Sequence, residues 1–395
     1  MTSDDGRDRS DMKDSILIGR VAVKRWGKVC VILILSALLL SACALHGTKI
    51  STGVTGVSED GDFGNVLIDM ELDDFNALGF KYGDSVDIRF SNGYTLEDIP
   101  YYTGYYNPAG EPLLLEFLGT DLVAAINYGT LWDEAGLSEG DTAEITLHEA
   151  GKYLNIQEAL NIAYSDERSE YESDEVFANF RCINTGKLKK DLFYRSASPC
   201  DNKHNRASYS DDLAEEAGVR MIVDLADCDE EIAGFMSAGD FDSPYFASLY
   251  EGNAVIPVDL QVDYKSEDYR AGIVKALREM SKSEGPYLIH CIEGKDRTGY
   301  LCALLECLTG ASYDEIEADY MESYNNYYGI DRSSDEEKYD TILSNNLIPM
   351  LTFMTGADAN SDISSVDLES GAEAYLTGGG MTSEEISALK EKLTH

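Results

Sequence analysis

Ten consecutive residues, His290-Cys291-Ile292-Glu293-Gly294-Lys295-Asp296-Arg297-Thr298-Gly299, place a thiol six positions before a guanidinium, with a hydroxyl directly after it. They follow the apolar run PYLI and lead into TGYLCALLECL, so the expected context is strand, tight loop, helix. Such a loop can turn its backbone N–H groups inward and form an anion-binding cup at the positive end of the helix dipole. Cys291 at the base of that cup has its anion stabilised by the same dipoles and by Arg297, so its pKa is expected below the free value of about 8.5. Arg297 offers a planar fork for two phosphate oxygens. A thiolate facing a held phosphorus is set for in-line attack. The cup itself is expected from Ile292, Glu293, Gly294, Lys295, Asp296 and Arg297. Thr298 can donate a hydrogen bond to the departing sulfur, and His290 is read as orienting the loop rather than titrating.

A leaving oxygen needs a proton, so a carboxylic acid should overhang the cup. Three candidates stand in the sequence: Asp296 inside the loop, and Asp259 and Asp263 in PVDLQVDY after the preceding strand. Each can equally be a solvated or helix-capping carboxylate, and for Asp263 that plainer reading, solvated or capping, is the favoured one. Lys295 adds a second cation to the cup, unless it simply pairs with Glu293. The chemistry calls for no cofactor. The histidines, His46, His148, His204, His290 and His395, show no metal-ligand spacing.

These residues need a scaffold. From residue 176 the chain alternates strand-like and helix-like segments. VRMIVDLA (219–226), AVIPVDL (254–260) and PYLIH (286–290) are continuous apolar runs, as expected for a sheet covered on both faces. A helix is expected over 266–283. Further helices are expected over 298–309, 313–324, 334–355, 365–377 and 383–393, the last opened by a capping box at Thr382-Ser383-Glu384-Glu385. The expected fold class is an α/β domain over 176–395, with a mostly parallel central sheet flanked by helices. Cys302 and Cys307 lie in an apolar helical run and read as buried thiols. A bridge among Cys182, Cys200 and Cys228 stays open.

Before that domain, residues 61–150 read as a small all-β barrel: VLIDMEL, SVDIRF and AEITL alternate apolar and polar residues between turn-forming ones. Residues 151–175 suit a helical connector followed by a loop, and residues 43–60 read as a tether rich in Gly, Ser and Thr. Residues 1–42 read as a leader. Fourteen apolar residues, 29–42, follow Lys24, Arg25 and Lys28 and end in Leu40-Ser41-Ala42-Cys43. That run is too short for a comfortable bilayer span of roughly 20 residues. The L-S-A-C ending resembles a bacterial lipobox, which implies lipidation of Cys43 and a lipid-anchored protein on the extracytoplasmic face of a bacterial membrane.

The 395 residues carry 31 basic against 73 acidic side chains, a formal charge of −42. Repulsion at that charge argues against nucleic acid or an anionic membrane surface as partner. Any anion site must therefore be a local exception made of backbone dipoles and a few cations.

The loop HC-x-x-GKDRTG resembles the cysteine-dependent protein tyrosine phosphatase superfamily, most closely the atypical bacterial branch that acts on phosphotyrosine and phosphoinositides. The resemblance extends to Asn179-Phe180-Arg181, to Leu192-Phe193-Tyr194-Arg195-Ser196-Ala197 and to Ile222-Val223-Asp224-Leu225. It implies a phosphomonoester hydrolase working through a phosphocysteine, with phosphorylated proteins or phosphoinositides as substrates. Asp296 is then favoured as the acid, with Asp259 second, and Arg195 is favoured as a brace of the loop over a substrate contact. Two departures touch residues outside the loop: Ala226 stands where the family often has Arg, and Cys182-Ile183-Asn184 replaces the usual Gly-Gly.

Segments 99–102, 110–113, 123–129 and 136–141 resemble the C-terminal β-barrel of S-adenosylmethionine hydroxide adenosyltransferases. That resemblance implies a barrel and not the reaction. Tyr101, Tyr102, Tyr105 and Tyr106 are either a binding platform or packed rings with hydroxyls at the rim. Two other functions fit parts of the pattern. One is a non-catalytic binder of phosphorylated ligands. The other is a sulfur transferase, against which the paired Arg297-Thr298 and His290 argue.

Overall fold

The computed structural model describes residues 49–55 and 64–395. The leader, Cys43 and His46 lie outside them. Among the described residues, no helix is long and apolar enough to cross a membrane.

Seven strands close into a barrel in the order β1-β2-β6-β5-β4-β3-β7. They are β1 (Lys49–Thr55), β2 (Val66–Glu71), β3 (Ser85–Phe90), β4 (Thr95–Tyr102), β5 (Pro112–Phe117), β6 (Asp121–Ile126) and β7 (Thr142–Glu149). This corrects the tether reading of 43–60: residues 49–55 form β1. Their segment KISTGVT has no apolar run, but pairing with β2 and with β7 satisfies its backbone on both sides and closes the barrel.

Alternate residues of β5 and β6 face opposite ways. Leu114, Leu122 and Ala124 fill the barrel interior, whereas Leu113, Val123 and Ala125 lie outside, under Tyr153 and Ile156. That second covering explains why DLVAAI is apolar at nearly every position.

Ile156 belongs to the connector helix Leu154–Leu160. This helix packs against the helix Glu336–Ile342 of the second domain, and Leu160 and Ile162 join that domain's core. Lys265 Nζ donates to the Ala109 carbonyl at 2.6 Å, and Asn345 Nδ2 to that of Tyr106 at 2.6 Å. The barrel is thus docked on the second domain by apolar packing and by hydrogen bonds that its loop carbonyls accept from that domain.

The second domain holds a five-stranded sheet in the order β11-β10-β12-β9-β8. Its strands are β8 (Arg181–Cys182), β9 (Phe193–Ser196), β10 (Met221–Asp224), β11 (Val255–Pro257) and β12 (Tyr287–His290). All pairings are parallel except β8 with β9. Phe193, Met221, Val223, Tyr287 and Ile289 pack into one core layer, and Tyr194, Ile222, Val255 and Leu288 into the other, as the strand period of two requires. The expected helices appear over Glu267–Ser281, Asp296–Leu308, Tyr313–Tyr328, Leu368–Gly378 and Ser383–Thr394, and Thr382 makes the expected capping box.

The expected helix 334–355 is interrupted by a π-helical turn, Leu343–Leu347. Pro349 has no N–H to offer the carbonyl four residues back, so the backbone widens there. Cys182, Cys200, Cys228, Cys291, Cys302 and Cys307 are all free thiols.

Candidate active site

The central strand β12 ends at His290, and the chain turns through residues 291–295 into the helix Asp296–Leu308. That places the loop at the carboxyl end of a parallel strand, where open α/β sheets bind ligands. Every carbonyl from Ile292 to Lys295 is held from outside the loop. Ser198 N–H donates to Ile292 O at 3.0 Å, and Tyr327 Oη to Glu293 O at 2.6 Å. Asn179 Nδ2 donates to the carbonyls of Glu293 and Gly294, both at 3.2 Å. Arg195 Nη2 donates to Gly294 O at 2.8 Å and Lys295 O at 3.2 Å. With the carbonyls turned out, the N–H groups face in, and among the described residues those of 292–295 meet no acceptor. This is the geometry of an oxyanion cup.

Gly294 makes the turn possible. Its φ is +67°, and a Cβ there would lie 2.1 Å from Ser196 O. Cys291 is buried at the base. Arg297 is half-buried, and its Nη1 donates to Leu260 O at 2.8 Å, which fixes the guanidinium beside the cup. Thr298 is fully buried, and its hydroxyl has no partner among the described residues.

Arg195 is fully buried. Besides the loop carbonyls it pairs with Asp319, which also pairs with Arg181 Nε at 2.8 Å. Through these partners Arg195 ties the loop to the helix that carries Asp319. His290 is likewise fully buried, with Nδ1 3.4 Å from the Cys291 carbonyl and Nε2 3.7 Å from Asp224 Oδ2. Burial pushes its pKa down to about 4, so the ring is neutral near pH 7.

The three candidate acids separate. Asp296 is exposed at the first turn of the loop helix and lines the cavity above the cup. Asp259 is exposed, outside that cavity, at φ +56°. Asp263 Oδ1 accepts the Lys265 N–H at 2.9 Å in the turn before the helix Glu267–Ser281, whose cap is Ser266. Lys295 combines both roles considered for it: it lines the cavity, and its Nζ sits 3.5 Å from both Glu293 and Asp296. Although burial opposes its charge, Asp296, Tyr324, Tyr328 and Glu293 together hold its pKa well above the usual lysine range.

The cavity over the cup has a volume of about 480 Å³. Its walls include residues that carry no local sequence signal of a site: Tyr320, Tyr324 and Tyr328 on one helix, Asn345 and Asn346 on the π-turn, and Asn127 and Tyr128 from the barrel. The tyrosine cluster of the barrel divides. Tyr101 is packed inside the barrel and Tyr102 is buried on its outer face, whereas Tyr105 and Tyr106 line the cavity.

Residues 177–395 match the model of the tyrosine phosphatase family. The chain belongs to that family. The phosphatase domain therefore comprises the five-stranded sheet, the cup and the C-terminal helices, with the barrel as an addition before it. No curated protein matches the chain. Among solved structures it is similar to an uncharacterized conserved protein from Thermotoga maritima, at 24% identity over 25% of this chain and 36% of that one, with a TM-score of 0.22. The chain thus spans about a third of that protein's length. It is also similar to the core catalytic domain of the PP-IP phosphatase SIW14 from S. cerevisiae in complex with citrate, at 20% identity over 41% and 93%, TM-score 0.25. A variant of TpbA from P. aeruginosa in complex with pTyr matches at 16% identity over 52% and 88%, TM-score 0.22. None of these findings carries the adenosyltransferase resemblance of the barrel.

Proposed function

We propose that this chain hydrolyses phosphomonoesters through a phosphocysteine at Cys291, with phosphotyrosine as the main substrate class and phosphoinositides as a second. The observation that carries this reading is the outward capture of all four loop carbonyls, 292 to 295, around a buried cysteine and a fixed guanidinium.

In the first step Cys291 Sγ attacks phosphorus, the P–O bond to the leaving group breaks, and Asp296 gives its proton to the departing oxygen. The cup amides and Arg297 hold the equatorial oxygens, where charge builds. In the second step Asp296, now a carboxylate, takes a proton from water. The water oxygen attacks phosphorus, the P–S bond breaks, and Thr298 donates a hydrogen bond to the departing sulfur. Inorganic phosphate is released and the thiolate restored.

The reading extends to the cell envelope, with Cys43 lipidated and the phosphatase held on the extracytoplasmic face of a bacterial membrane. The support is the basic, apolar and small-residue order of 24–43.

Cys291→Ser tests the chemistry. The variant should lose hydrolysis of an aryl phosphate and keep binding of inorganic phosphate. Turnover at the original rate would overturn the reading.

A further inference from the structure

We infer that the barrel is the second half of the substrate pocket, and that Tyr128 on its rim restricts the cup, among phosphotyrosine substrates, to those carried on flexible segments rather than on folded surfaces. The inference rests on the phosphatase reading above and deepens it.

The cup alone would be an open dish at the carboxyl end of the sheet. With the barrel docked, it lies at the bottom of a cavity of about 480 Å³ with walls from both domains. Volumes of roughly 300–1,000 Å³ suit small ligands, and no folded protein face can enter one. A phosphotyrosine side chain on an extended segment can, because it is slender and its ring matches tyrosine walls.

The rim that carries Tyr128 is built to stay put. Asn127 Nδ2 donates to Asn107 O at 2.6 Å, and Asn107 Nδ2 to Glu111 O at 2.7 Å. Gly110 N–H donates to Asn127 O at 2.7 Å, so the two barrel loops are tied to each other. Gly129 is needed for the close turn, since a Cβ there would meet Ile126 Cγ2 at 2.5 Å. Tyr128 itself sits at φ +58°, an unfavourable conformation for a bulky residue. Backbone strain of this kind persists where the surroundings over-determine it, commonly at ligand clamps.

Tyr128 as a residue remains 37% exposed and lines the cavity. Its hydroxyl has no hydrogen-bond partner among the described residues, and the charges it feels most are those of Asp296, Asp263 and Arg297, two of them in the cup. Burial first, then the two carboxylates, push its pKa up to about 12. The phenol therefore keeps its proton at neutral pH, available to a phosphate or ester oxygen held below it.

The test uses the full chain and three substrates: p-nitrophenyl phosphate, phosphotyrosine in an unstructured peptide, and the same phosphotyrosine on the surface of a folded domain. In the parent protein, kcat/KM for the folded substrate should fall on the order of a hundredfold below that for the peptide. Tyr128→Ala should narrow that gap by about tenfold, and Tyr128→Trp should not narrow it. Tyr128→Asn serves as a second variant because Asn accepts positive φ and loses the ring. If Ala fails to fold, Asn should give the same narrowing. A gap that is absent in the parent, or unchanged in both ring-removing variants, overturns the inference. Should Cys291→Ser also retain turnover, the phosphatase reading itself fails. Should it abolish turnover while the gap stays fixed, only the role of Tyr128 fails.

Discussion

Arg195 Nη2 donates to the Gly294 carbonyl at 2.8 Å while Nη1 of the same guanidinium pairs with Asp319, so one buried fork ties the phosphate cup to the helix Tyr313–Tyr328. The pair is fully desolvated on the arginine side. Removing one partner of such a pair costs about 3–5 kcal/mol, because the other charge is left buried and alone. Arg195→Ala should lower the urea midpoint of the phosphatase domain accordingly. Arg195→Lys should recover much of the stability but little of kcat, since a point charge cannot hold two carbonyls and a carboxylate at once. Equal recovery of both would show that the fork does not position the loop.

Gly294 gives a second, sharper test of the cup. Any Cβ at this position meets backbone at 2.1 Å, so the loop itself must move. Gly294→Ala should weaken inorganic phosphate binding by more than about tenfold, with a smaller effect on global stability than Arg195→Ala. Isothermal titration of both variants against the parent checks this, and intact phosphate affinity in Gly294→Ala would contradict it.

Much of this site was legible because it is contiguous. The residues of β12, the cup and the start of its helix follow one another, so strand period, loop length and residue type appear together. Arg195 was read as a brace only through the family resemblance, and the structure places it on β9, the parallel neighbour of β12. The rest reaches the cup only through tertiary packing. Asp319 and Tyr327 act from a helix whose apolar and acidic pattern is that of an ordinary surface helix. Asn345 and Asn346 face the cavity because Pro349 widens the helix, a shift the periodicity does not register. β1 was missed because KISTGVT is polar and is a strand only by virtue of its two partners. Nothing local to Asn127-Tyr128-Gly129 indicates that the barrel rim faces a cup assembled more than 160 positions later.

Leaving-group dependence separates the candidate acids. Asp296→Asn should slow an alkyl phosphate or phosphotyrosine on the order of a hundredfold, and p-nitrophenyl phosphate far less, since only a poor leaving group needs the proton. Asp259→Asn should change neither, as its side chain lies outside the cavity. The opposite pattern would move the acid to the segment after β11.

A buried acidic pair behind the cup sets a pH dependence of stability. Burial pushes Asp224 up to about 7, and burial together with the Asp224 charge pushes Asp227 up to about 7. Folded-state pKa values above the unfolded ones mean that the native state holds the extra protons. Their stabilisation is complete below the unfolded carboxylate range and is lost as pH rises through about 7. His290, pushed down to about 4, acts in the opposite sense, but its effect is finished above its unfolded value of about 6.5. Thermal melts should therefore show stability falling as pH rises toward about 7 and levelling off above it, with a shallower fall in Asp227→Asn. A flat or rising profile in the parent would contradict the assignment.

The central claim is a covalent bond between Cys291 and phosphorus. Acid quench of the parent protein during turnover of an aryl phosphate, followed by peptide mapping, measures it directly. A phosphoryl group on the peptide that carries Cys291, absent from Cys291→Ser along with all turnover, is the predicted result. Steady hydrolysis by Cys291→Ser, with no phosphoryl group on that peptide in either protein, would contradict it.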